Sequence, residues 1–169
     1  MVRQVLPLAL LTVLLVPVWA DSGQAPPQRQ SPTAQSERIR QGVSHFERAF
    51  YELTPQKRDR EAAQEFDQAI AQFEIELQQQ PSSAMAHQYL GRIYSLRKDY
   101  RKSAQHYDRL SEIEPLNVDA CVLAALGYAE AGDVAEARLR LAEARLRTSD
   151  PVALAKIAEY LAKLDKLDR

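Results

Sequence analysis

Residues thirty-four positions apart keep matching in this chain. Pro81 pairs with Pro115, Gly91 with Ala125, Tyr94 with Tyr128, Asp99 with Asp133 and Tyr107 with Leu141. A fixed period of this length leaves few folds open. Each unit must be one supersecondary element that cannot bury its apolar face alone, so the units stack into a solenoid.

Within the units the apolar period is helical. Ile39, Val43, Phe46, Phe50 and Leu53 form one stripe that begins near Ser36. Thr54-Pro55 stops this helix and offers an N-cap and a first-turn proline for the next. That next stripe is Ala62, Phe66, Ala69, Ile70, Phe73 and Leu77. Ser83 then caps a helix through Met85, Tyr89, Leu90, Ile93, Tyr94 and Leu96. After the break at Asp99 comes a helix through Tyr100, Ala104, Tyr107, Leu110 and Ile113. Asn117 opens the third hairpin, which runs through Ala120, Leu123, Ala124, Gly127 and Tyr128. Gly132-Asp133 supplies its turn, and Val134, Ala137, Leu141 and Ala144 complete it. Asp150-Pro151 starts a last helix, apolar at Leu154, Ile157, Leu161 and Leu164 and charged elsewhere. A one-sided helix of this kind covers the exposed end of a stack.

The order of small, aromatic and proline positions resembles the tetratricopeptide repeat family. Ala84–Asn117 carries His87, Leu90, Gly91, Tyr94, Ser103, Tyr107, Leu110 and Pro115 at the family's marked positions. Val118–Pro151 carries Cys121, Ala124, Ala125, Tyr128, Ala137, Leu141, Ala144 and Ser149. The first repeat fits two registers seven residues apart, and reads as one unit of 41 residues, Val43–Ser83, with its second helix two turns longer. The resemblance implies an all-α solenoid of about three repeats (43–83, 84–117, 118–151) with a capping helix over 151–166, all within a domain 36–169.

It also implies a concave groove lined by the first helix of each repeat. The residues carried there are Glu47, Tyr51, Met85, Gln88, Arg92, Leu96, Val122, Leu126 and Glu130, with Ser44, Thr54, Pro55, Ser95, Asp119 and Ala129 beside them. A groove of this kind holds a peptide or helix of a protein partner and performs no catalysis. Family members that bind chaperone C-terminal carboxylates use Lys and Asn on the groove. Here Glu47 and Tyr51 stand in such places and Asn117 is the only Asn, which argues against that activity.

The chemistry that is missing points the same way. His45, His87 and His106 lie apart, with no Cys, Asp or Glu at metal-ligand spacing. There is no haem-attachment motif, no phosphate-cradling Gly loop and no Gly-x-Ser-x-Gly, so no catalytic residue, metal or cofactor is expected. The net charge of −1 gives a nucleic-acid partner no electrostatic support. Arg138, Arg140, Arg145 and Arg147 splay around their helix and are diluted by Glu136 and Glu143. Cys121 is the only cysteine, so the core rests on packing without an internal disulfide.

The first twenty residues read as an export signal. Arg3 is followed by an uncharged, Leu- and Val-rich run from Gln4, ending in Val18-Trp19-Ala20. Cleavage after Ala20 leaves a mature chain that begins with a linker, 21–35, rich in Pro, Gln and Ser. The expected location is exported and periplasmic, since the chain has neither a disulfide pair nor an Asn-x-Ser/Thr acceptor. The alternative is an uncleaved anchor in the inner membrane, and self-association into a structural array is a third reading.

Overall fold

The computed structural model describes the backbone of residues 32–166 and side chains from Glu37 onward. The expected signal segment 1–20 and the linker as far as Ser31 lie outside the described residues. Helix α1 spans Pro32–Glu47 and runs on through a π-helical segment, Arg48–Leu53. Then come α2 (Asp59–Gln79), α3 (Ala84–Leu96), α4 (Tyr100–Ile113), α5 (Val118–Glu130), α6 (Val134–Leu146) and α7 (Pro151–Leu164). The described residues contain no strand. Each helix packs on the next in chain order, α1 on α2, α3 on α4 and α5 on α6 as hairpins, with α4 packed equally well on α5.

Close approach within each hairpin depends on a small residue facing a large one. A Cβ placed on Gly91 would lie 2.9 Å from the Tyr107 ring, and one on Gly42 would lie 2.7 Å from the Phe73 ring. In the third hairpin Ala125 and Leu141 meet in one buried cluster.

The turns within the hairpins also share one geometry. Asp99 N–H donates to Tyr94 O at 2.9 Å, Asp133 N–H to Tyr128 O at 2.8 Å, and Arg58 N–H to Leu53 O at 3.1 Å. Each such turn needs one residue at positive φ, as in a Schellman C-cap. Gly132 fills that place at φ 84, while Lys57 and Lys98 adopt it at φ 58 and 61 despite their Cβ. The expected start of the second helix at Thr54-Pro55 is therefore corrected. Thr54 caps the end of the preceding segment, its hydroxyl donating to Ala49 O, and α2 begins only at Asp59.

Two fixed points locate the extra length of the first hairpin. At the turn, Leu53 corresponds to Tyr94. At the base, Gly42 corresponds to Gly91 and Phe73 to Tyr107. Between these points the first arm holds eight more residues than α3, and α2 holds seven more than α4. Both arms are thus longer, not the second alone. Two α-turns take about seven residues, so the first arm has one residue too many, and the π-helical segment is where a single insertion is absorbed. Arg97, at the end of α3, donates to Asp67 Oδ1 and Ala63 O, so the α2 residues before Ala63 and the Thr54–Arg58 turn reach past the next hairpin.

Caps follow the sequence in part. Asn117 accepts from Ala120 N–H at 3.1 Å, and Asp150 accepts from Ala153 N–H at 2.9 Å with Pro151 in the first turn. Ser83 stands at its expected N-cap position, but its hydroxyl makes no capping bond. At the far end, α7 buries Ile157 and Leu164 against Cys121, Val122 and Leu141.

Gly91→Val should force the Tyr107 ring aside and destabilise the fold by about 2–3 kcal/mol, read from urea midpoints. Ile157→Ala should cost about 2–4 kcal/mol through the cavity left under α7. An unchanged midpoint in either variant would contradict the packing described.

Candidate concave binding surface

The inward face of the stack begins with a cluster of rings. Phe46 meets Phe66 at 5.9 Å and Tyr89 edge-on at 5.1 Å, while Phe73 stacks on Tyr89 at 5.2 Å. Phe50 stacks on Phe46 and takes Tyr51 edge-on at 4.9 Å. The Arg92 guanidinium lies over both Phe50 and Phe46, at 4.8 and 5.0 Å from their centroids. No ion pair to Arg92 occurs among the described residues, so its donors are left to the groove while its charge is stabilised by two ring faces. Arg92 thereby ties α3 to the first hairpin.

Beside this cluster a cavity of about 600 Å³ opens between α3 and α5, with α4 as its floor. Gln88 and Arg92 form one wall, Asp119 and Leu123 the other, and Tyr107 and Leu110 lie beneath. The walls thus carry opposite charges, with an amide and an aliphatic side chain between them.

The nine residues expected on the groove do not share one fate. Met85 and Leu96 are large apolar side chains left exposed, at 48% and 45%, and Glu47, Gln88, Arg92 and Glu130 are exposed as well. Tyr51, 61% exposed, belongs to the π-helical segment and lies edge-on against Phe50. Leu126 is half-buried against α7 beside a second hollow that Glu130, Tyr160 and Lys163 also line. Val122 is a correction: it is 6% exposed and belongs to the core beneath α6 and α7. Leu123, named in the sequence only as part of the apolar run of the third hairpin, takes the open place, at 40%. The two are not told apart in the sequence because α5 is apolar on nearly every side, so its pattern does not say which face turns inward.

The outer surface is stitched across repeats. Tyr94 donates to Glu74 of α2 at 3.4 Å, and Tyr128, thirty-four residues on, donates to Asp108 of α4 at 2.7 Å. Asp108 also pairs with Arg140 at 2.7 Å. Burial pushes the Asp108 carboxyl up against the opposing pull of Tyr128 and Arg140, and burial with the Asp108 charge holds the Tyr128 hydroxyl at about 12. Arg147 reaches Ser111 O at 3.0 Å and Cys121 Sγ at 3.1 Å. Arg140 of α6 and Arg147 just after it therefore hold repeats together, which no sequence spacing announced.

Among the described residues no group of three His, Cys, Asp or Glu could hold a metal ion, and no helix is long and apolar enough to cross a membrane.

No family model and no curated protein matches the chain. Solved structures do. The N-terminal domain of stress-induced protein-1 from C. elegans aligns over 72% of this chain and 95% of its own, at 15% identity and a TM-score of 0.53. The C-terminal TPR-containing domain of a putative FK506-binding protein from Plasmodium falciparum aligns over 78% and 95%, at 19% identity and a TM-score of 0.47. The first TPR of Spaghetti (RPAP3), solved with an HSP90 peptide, aligns over 73% and 95%, at 13% identity and a TM-score of 0.48. With three hairpins of one turn geometry, small-against-large contacts and a capping helix, the chain has a tetratricopeptide-repeat-like fold.

Proposed function

We propose that this protein is a non-catalytic interaction module that holds a segment of a protein partner along its concave face. The observation that carries this reading is the open cavity between α3 and α5. It is edged by Arg92 on its two phenylalanines and continued by the exposed Tyr51, Met85, Leu96 and Leu123. Exposed tyrosine and arginine beside an open hollow are the residue types that dominate binding hot spots. An extended peptide or a single helix fits such a hollow, with apolar side chains toward Leu123 and Leu110 and polar groups toward Gln88, Arg92 and Asp119.

The setting we propose is the bacterial periplasm. The uncharged run after Arg3, the small residue at Ala20 and the Pro- and Gln-rich linker support export, and an uncleaved anchor in the inner membrane is the competing arrangement. N-terminal sequencing of the exported protein separates the two: a start near Asp21 supports cleavage, and an intact terminus in the membrane fraction supports the anchor.

The groove is tested by photo-crosslinking from Tyr51 and Leu123, with the exposed Leu139 of the outer helix α6 as control. The groove positions should capture a protein partner that Leu139 does not. Tyr51→Ala should weaken that complex about tenfold or more with little change in melting. Arg92→Ala should weaken it too, but at a stability cost of about 0.5–2 kcal/mol, because the cation–π contacts to Phe46 and Phe50 go with it. Arg140 and Arg147 are unsuitable controls because both tie repeats together. Capture from Leu139 and not from Tyr51 or Leu123 would move the binding surface to the convex side.

A further inference from the structure

Two histidines absent from the groove are locked to each other. His87, in the first turn of α3, is 6% exposed, and His106, on α4, is half-buried. Their Nδ1 atoms lie 3.1 Å apart. His87 Nε2 lies 3.0 Å from the carbonyl oxygen of Pro81, in the connector between the first and second hairpins. A carbonyl only accepts, so His87 carries its proton on Nε2 and its Nδ1 is the acceptor. The proton between the rings therefore belongs to His106 Nδ1. The His106 ring lies parallel to Tyr94, with centroids 5.5 Å apart, and Tyr94 reaches back to Glu74 of α2. One continuous chain of contacts thus joins α2, the Pro81 connector, α3 and α4.

We infer that this pair is an acid-sensitive latch between the first and second hairpins. In the neutral pair every ring nitrogen facing the partner has its role. A first added proton makes one half-buried imidazolium. A second must go to His87 Nδ1, where two N–H groups would then point at each other across 3.1 Å. That arrangement cannot persist, and the ring that must turn away is the one holding Pro81. The surroundings do not rescue the charge. The Pro81 carbonyl favours a charge on His87 but is outweighed by burial; from α4, Lys102 and Arg109 oppose the charge, and Glu112, already paired with Arg109, favours it. Asp108, which lines one shallow hollow with the two histidines, is committed to Tyr128 and Arg140. From α3 the facing group is Tyr94, and from α2 it is Glu74 beyond it, while Lys102 sits 5.0 Å over the Tyr94 ring.

The proton balance gives the direction. An unconstrained histidine ionises near pH 6.5. In the fold, burial, then the His87 and Lys102 charges, lower His106 to about 4, and burial lowers His87. The opened form therefore binds more protons, and the latch loses stability as pH falls from about 6.5 through about 4. Arg92 crosses the same junction to Phe46 and Phe50, so opening would also disturb the groove wall. That consequence rests on the groove reading; the latch itself does not.

The test is amide exchange of the mature full chain at about pH 7 and pH 4.5, corrected for intrinsic rates, with ring ¹⁵N shifts of the histidines followed across the same range. Wild-type protein should lose about tenfold protection over residues 83–94 on acidification, and His87→Gln with His106→Gln should lose about twofold or less. His45, against Glu65 at 2.6 Å, stays in every arm, so its own response cancels. Equal losses in the two proteins, or no loss in the wild type, would overturn the latch. Should the double variant not fold, the ring shifts decide. His87 as the Nε2–H tautomer, with both rings neutral at about pH 6, supports the latch, and either ring cationic there overturns it.

Discussion

The contact on which this structure depends is the near-touch of two helices at a residue without bulk. Gly42 against Phe73, Gly91 against Tyr107 and Ala125 against Leu141 repeat one arrangement at the base of successive hairpins. A small residue lets the axes approach, and the ring or leucine opposite fills the space that its missing side chain leaves. The pair fixes the rotation of both helices and therefore which residues turn toward the next hairpin. In the second and third repeats those residues include Tyr94 and Tyr128, whose hydroxyls find Glu74 and Asp108 on the preceding helix. Packing within one unit thus places the hydrogen bonds between units.

The same logic explains what could be read from the sequence. Helix starts at Ala84, Val118 and Pro151 coincide with the expected repeat boundaries, because the period, the prolines and the caps Asn117 and Asp150 all agree there. The first hairpin was legible only as two competing registers. Its tip keeps the register that puts Leu53 on the first helix, while at its base Phe73 meets Gly42, which precedes the expected unit 43–83, and the extra residue that separates its arms leaves no compositional mark. Glu76 is a similar case. It is buried at a position that carries Leu110 and Ala144 in the later repeats, and burial pushes its carboxyl up while the Arg38 charge pulls it down. A carboxylate in a helical sequence reads as a solvated face, so nothing in the pattern gave it away.

The candidate concave face was half legible. Charged and long side chains such as Glu47, Gln88, Arg92 and Glu130 stand in the open, as residues on a polar stripe must. Val122 and Leu123 could not be ordered, because a helix that is apolar on every side gives no period to read. The support of Arg92 by Phe46 and Phe50 was likewise out of reach, since it joins residues more than forty positions apart in the chain. A guanidinium held on two rings loses less freedom in any further contact than one on a mobile stem.

The central claim is that one small-against-large contact sets each hairpin, including the lengthened first. Nuclear Overhauser contacts of the glycine α-protons in solution test this most directly. Gly91 should show contacts to the Tyr107 ring and Gly42 to the Phe73 ring, while Gly132, whose surroundings are open, should show none to an aromatic ring. Contacts from Gly42 to the Phe66 ring in place of Phe73, or none from either glycine, would contradict the account.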